Sequence, residues 1–98
     1  MRALVLRGFY DIAVEDRPDP VAGPGEVVVE VIATGICGSD LHHFNGHVAG
    51  MHTDDVIGHE FMGEVVETGR RVENLKAGDR VVVPFPIACG NCWACRHE

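Results

Sequence analysis

Three cysteines close the chain as Cys89-x-x-Cys92-x-x-Cys95, and a fourth, Cys37, stands alone upstream. Three thiolates at that spacing on a tight loop can converge on one metal ion, with Gly90 permitting the sharp turn. Burial does not call for a period of three, so metal binding is the first reading of this segment. A closed zinc site takes a fourth ligand. His97 lies too near Cys95 to supply it comfortably, so the loop is expected to be interrupted before its last ligand. The same spacing opens the bacterial ferredoxin run, which leaves an iron–sulfur cluster as the chemical alternative.

A second group of residues sits in "GICGSDLH", with Cys37, Ser39, Asp40 and His42, and in "GHEF", with His59 and Glu60. Thiolate, neutral imidazole and carboxylate are the donor types of an open, catalytic zinc site. Each is weak evidence singly. Both segments follow glycines at the ends of predicted strands, where loops converge. The His-Glu pair does not extend to a zinc-protease helix, because Gly63 stands where the second histidine belongs. His43, His47 and His52 read as solvent-exposed loop residues.

The elements that must position these groups read as mainly β. Arg2–Leu6 and Ile12–Arg17 are short strands, and "PDPVAGPGE" after them is a loop. Val27–Gly35, rich in β-branched residues, is the clearest strand, and its apolar run predicts burial on both faces at its start. Ser39–Phe44 fits one helical turn capped by Ser39 or Asp40. Residues 52–56 read as loop, and Phe61–Gly69 as a strand in which Gly63 marks a bulge. "GDRVVVPF" is a turn and a strand that Pro84 ends. Short strands at this spacing predict a small β-barrel or sandwich.

Ninety-eight residues make one domain, and a composition 46% hydrophobic and 23% charged is globular. Eight basic against 15 acidic residues, a net charge of −7, argue against a nucleic-acid partner. The N-terminal apolar run spans only Ala3–Leu6, too short for a signal core or a membrane span. A cytoplasmic protein is expected, in which close cysteines serve as metal ligands rather than disulfides. No G-x-G-x-x-G fingerprint follows a strand, so this stretch cannot hold a dinucleotide by that means.

In order and spacing, "GICGSDLHHFNG", "GHEFMGEVVETG", "LKAGDRVVVPF" and "CGNCWAC" resemble the zinc-dependent medium-chain alcohol dehydrogenases. The likeness is greatest to the formaldehyde, polyol and threonine dehydrogenase branch, although Glu98 stands where many members have glycine. The resemblance implies a GroES-like small β-barrel with short helical turns and a cysteine-rich metal lobe. It makes residues 1–98 the N-terminal part of the catalytic domain, without the Rossmann cofactor domain. It implies a catalytic zinc held by Cys37 and His59 with Glu60 close by, and a structural zinc held by Cys89, Cys92 and Cys95. Ser39 would accept the proton of a substrate hydroxyl, His42 would pass it towards solvent, and Asp40 would hydrogen-bond His59. Gly38 replaces the basic residue that many members place against cofactor pyrophosphate.

The implied reaction takes hydride from a primary or secondary alcohol, or a hydrated aldehyde, to NAD or NADP. The implied full-length protein is a homodimer or homotetramer that touches neither membrane nor nucleic acid, and the 98-residue stretch alone is expected to be inactive. A non-enzymatic zinc-binding module and an iron–sulfur carrier are the competing expectations.

Overall fold

The computed structural model describes residues 1–97, so Glu98 lies outside the described residues. Its elements in chain order are β1 (Arg2–Gly8), β2 (Asp11–Asp16), β3 (Val27–Thr34), α1 (Gly38–Phe44), β4 (Phe61–Thr68), β5 (Arg80–Val83) and α2 (Trp93–Arg96). The mainly β expectation holds. β1 and β2 form an antiparallel hairpin, and β3, β4 and β5 an antiparallel sheet with β4 in the centre.

β1 follows the strand period. Ala3 and Val5 point inward from alternate positions, joined by Leu6, and these three with Val65 of β4 are the buried apolar core. Residues 54–57 lie along β1, where the amide of Leu6 donates to the Asp55 carbonyl and that of Ile57 to the Leu4 carbonyl. The stretch read as loop is therefore tied to the hairpin, with Val5 and Val56 paired. Asp54 has a positive φ of 79°, and Arg7 and Arg17 both reach its carboxylate from the hairpin. Gly58, at φ 111°, then turns the chain into His59.

Three local expectations need correction. α1 covers two turns rather than one, and its N-cap is Cys37. Asp40 sits at the third helical position and accepts from the Cys37 amide across 2.9 Å. The cap expected of a serine or aspartate is thus met from inside the helix. The start of β3 is only half-buried, and Val31 and Ile32 are exposed, because no described element covers that face. Gly63 is not itself bulged. The extra residue lies opposite it, where Val31 pairs with Gly63 and Ala33 with Met62, leaving Ile32 unpaired between them.

Candidate metal centres

Antiparallel pairing of β3 with β4 creates the first centre. Thr34 at the end of β3 pairs with Phe61 at the start of β4. The Gly35 amide and the Thr34 hydroxyl both donate to the Glu60 carbonyl, at 2.9 and 3.0 Å. The chain leaving β3 therefore runs beside the chain entering β4. Cys37 and the His59–Glu60 pair, 22 residues apart by number, are brought face to face.

At that point Cys37 Sγ, a ring nitrogen of His59 and a carboxylate oxygen of Glu60 lie within 4.8 Å of one another. Ser39 Oγ stands between the first two. It is 3.4 Å from Cys37 Sγ and 3.1 Å from His59 Nε2. Behind the ring, His59 Nδ1 lies 3.1 Å from Asp40 Oδ1. Phe85 meets the imidazole edge-on, with centroids 5.9 Å apart.

When no metal is bound, the surroundings ease loss of the Cys37 proton and favour a proton on His59. The Cys37 thiol is held below its ordinary value, first by the Ser39 hydroxyl donating to sulfur, then by the Ser39 amide and by His59. His59 is raised, chiefly by its contact with the Cys37 sulfur and then by the Asp40 charge, against the opposing effect of burial. This donor set suits zinc: a thiol eased towards its thiolate, an imidazole and a carboxylate are three ligand types of an open site.

α1 also sets the remaining groups. His42 is exposed on the helix, three residues from Ser39 and so on the same face. The hairpin tip anchors the far end of α1, where the Tyr10 amide donates to the Phe44 carbonyl at 2.8 Å and the two rings stack edge to face. His47 and His52 are exposed, as expected, but His43 is not. It is half-buried, with its ring 6.2 Å from that of His59. Its spacing of three from Asp40 on a helix was the available sequence signal. Phe85 carried none, since it depends on where β5 ends.

The second centre is the cysteine lobe. Cys92 Sγ lies 3.4 Å from Cys95 Sγ, and Cys89 Sγ 3.9 Å from it. A tetrahedral ion with Zn–S bonds of about 2.3 Å spaces its sulfurs about 3.8 Å apart, so the trio fits zinc with little adjustment. Gly90, at φ 76°, makes the turn, and the short helix α2 brings Cys95 back. His97 Nδ1 is occupied by the Trp93 carbonyl at 2.9 Å, with the ring stacked flat on Trp93. Trp93 itself is 74% exposed. Phe61 lines an open apolar hollow with Val21, Val29 and Val31.

The Cys89 thiol is lowered to about 7 by the amides of Asn91 and Cys92 and by the neighbouring thiols. In the metal-free chain its alkylation by iodoacetamide should rise with a midpoint near pH 7, rather than near the ordinary 9.0. Saturating zinc should protect it. Peptide mass spectrometry across a pH series reads both effects, and a midpoint near 9 would count against the prepared thiolate.

Residues 23–98 match the alcohol dehydrogenase GroES-like domain. A zinc-type alcohol dehydrogenase-like protein of Bacillus subtilis is 46% identical over 99 residues, spanning 100% of this chain and 26% of its own length. An L-threonine 3-dehydrogenase of Streptomyces avermitilis is 50% identical over 84 residues, spanning 83% of this chain and 25% of its own. Among solved structures, the alcohol dehydrogenase TADH from Thermus sp. ATN1 superposes with a TM-score of 0.86 at 42% identity, covering 98% of this chain and 28% of that one. The chain spans about a quarter to a third of the length of its first curated relatives, from 23% to 34%.

Proposed function

From a chain that belongs to the zinc-type medium-chain alcohol dehydrogenase family through its GroES-like domain, we infer the N-terminal part of the catalytic domain of a longer, NAD(P)-dependent dehydrogenase. Its substrate class is small primary or secondary alcohols, polyols or hydrated aldehydes. One observation carries the reading: Ser39 Oγ stands where Cys37 Sγ and His59 Nε2 converge, 3.4 and 3.1 Å away.

Cys37, His59 and Glu60 would hold a catalytic zinc, and Cys89, Cys92 and Cys95 a structural one, each set completed by ligands from elsewhere in the protein. Bound zinc supplies Lewis acidity towards an alcohol oxygen, and the nicotinamide supplies the hydride acceptor. The chain's own residues handle the proton. Ser39 Oγ would accept the proton of a hydroxyl seated beside it while giving up its own. The exposed imidazole of His42, on the same helical face, passes it to solvent. Asp40 holds His59 from behind, leaving Nε2 facing Cys37. Among similar solved structures, one from Sinorhizobium meliloti 1021 is bound to NADP and one from Escherichia coli CFT073 is complexed with NADH. Both nicotinamides are therefore to be tried.

No helix among the described residues is long and apolar enough to cross a membrane. All four cysteines are free, which suits a reducing cytoplasm. A homodimeric or homotetrameric full-length protein goes with this reading.

The test uses the full native protein with zinc, NAD+ or NADP+, and a panel of alcohols, polyols and threonine, read as NAD(P)H absorbance. Turnover should appear with at least one primary or secondary alcohol or polyol of the panel. Ser39→Ala should lower kcat by about 10²-fold or more, the ordinary contribution of a positioned proton acceptor. The 98-residue stretch alone should show none. Zinc bound without turnover on any substrate would favour the non-enzymatic module, and a brown, iron-containing protein the iron–sulfur alternative.

A further inference from the structure

Among the described residues, two buried side-chain polar atoms have no hydrogen-bond partner: Asp40 Oδ1 and His43 Nδ1. They are complementary. A carboxylate oxygen can only accept, and an imidazole nitrogen can donate when it carries the proton. The two residues lie three apart on α1, so they share one helical face. A nitrogen of His43, an oxygen of Asp40 and a nitrogen of His59 all fall within 4.8 Å of one another. The His43 ring also packs edge-on against His59.

His59 Nδ1 does approach Asp40 Oδ1, at 3.1 Å. No hydrogen bond forms across that approach, so the oxygen is left without a donor. The other carboxylate oxygen is already fixed, since Oδ2 accepts from the Cys37 amide at 2.9 Å. Buried polar atoms in native proteins are almost always paired. The other buried polar atom left without a partner is His43 Nδ1, and a nitrogen of that ring lies within 4.8 Å of an Asp40 carboxylate oxygen.

We propose that His43 is a positioning residue of the Cys37–His59 centre: its Nδ1–H donates to Asp40 Oδ1. The inference rests on the reading of His59 as a metal ligand. With Oδ2 pinned by the Cys37 amide and Oδ1 by His43, the carboxylate plane cannot rotate. Its fixed negative charge, 3.1 Å from His59 Nδ1, then favours a proton on that nitrogen and leaves Nε2 turned towards Cys37. One helix face thereby sets the orientation of both the thiol and the imidazole. His43 itself touches neither metal nor substrate in this arrangement.

Nitrogen-15 NMR of the histidine side chains in the full chain tests the bond directly, without turnover. The His43 ring should carry its proton on Nδ1, both metal-free and with zinc. A proton on Nε2 instead, or a coordination shift of His43 when zinc is added, overturns the proposal, the second by making His43 a ligand. Zinc affinity gives the second measurement, in a background with Cys89, Cys92 and Cys95 all replaced by serine so that one centre remains. His43→Leu should weaken zinc binding about tenfold or more, and His43→Asn, whose amide can stand in for Nδ1–H, should restore it to within about threefold. Equal affinities for the leucine and asparagine variants sink the idea. If the leucine variant fails to fold, the tautomer in the unaltered chain decides. A protein without dehydrogenase activity would change neither readout.

Discussion

Replacing Cys37 with serine should weaken zinc at the Cys37–His59 centre by about two orders of magnitude. A four-ligand zinc site is worth about 10–16 kcal/mol, so one ligand accounts for about 3 kcal/mol, or roughly a hundredfold. Serine keeps the shape but cannot supply the thiolate. The fold should survive, because what ties Cys37 into α1 is its backbone amide on Asp40, which the substitution leaves in place. Competition with a chromophoric chelator measures the loss. In the full protein, turnover should fall at least as far as metal occupancy. Cys89→Ser is the control: the lobe is a separate cluster, so its loss should leave affinity at the first centre unchanged. A Cys37→Ser protein that holds zinc as before would remove Cys37 from the ligand set.

Gly63→Ala should lower the melting temperature by about 10 °C or more. A Cβ at this position of the central strand would collide with the Glu30 carbonyl of β3 and stand 2.7 Å from Val29 Cγ1. The first obstacle is backbone, so it cannot turn aside as a side chain could. Overpacking of this kind costs about 1–3 kcal/mol, and a domain of this size loses about 4–8 °C per kcal/mol. The damage should reach the metal centre. Gly63 lies four residues after His59 on the same run of chain, and the β3–β4 register is what faces Cys37 towards His59. Zinc affinity should therefore fall together with stability. Gly8→Ala is the comparison, since its Cβ would meet nothing within 4 Å and should leave the melting temperature nearly unchanged. Circular dichroism melts of the two variants separate them, and equal melting temperatures would refute the close-approach explanation.

Much of this protein is legible in its residues because the determining physics is local. The period-two pattern of Ala3 and Val5, the β-branched run from Val27 and the Gly-Pro-rich loop at 18–26 each set their own element without help from distant chain. The cysteine lobe is likewise self-contained. Its sulfurs are three residues apart, and a turn at Gly90 with a few helical residues is enough to gather them.

Other features follow only from which strands pair. β3 was expected to be buried at its start because its valines are apolar, but burial needs a covering element, and none of the described elements supplies one. Gly63 announces a special backbone position, but only the register reveals that the unpaired residue is Ile32 on the neighbouring strand. His43 looked like one more loop histidine until the helix lengthened to two turns and β4 carried His59 up against it.

The chain's composition and motifs alone thus determined a mainly β domain, its family, one set of thiol, imidazole and carboxylate donors and one set of three thiols. The antiparallel β3–β4 pairing decided that the donors of the first set face one another, and that Asp40 and His43 stand behind them. The physical reason is range. Strand propensity, turn chemistry and a three-residue cysteine period act over a few residues. The meeting of Cys37 with His59 depends on a hydrogen-bonded register that joins residues 22 positions apart in sequence, which no local preference encodes.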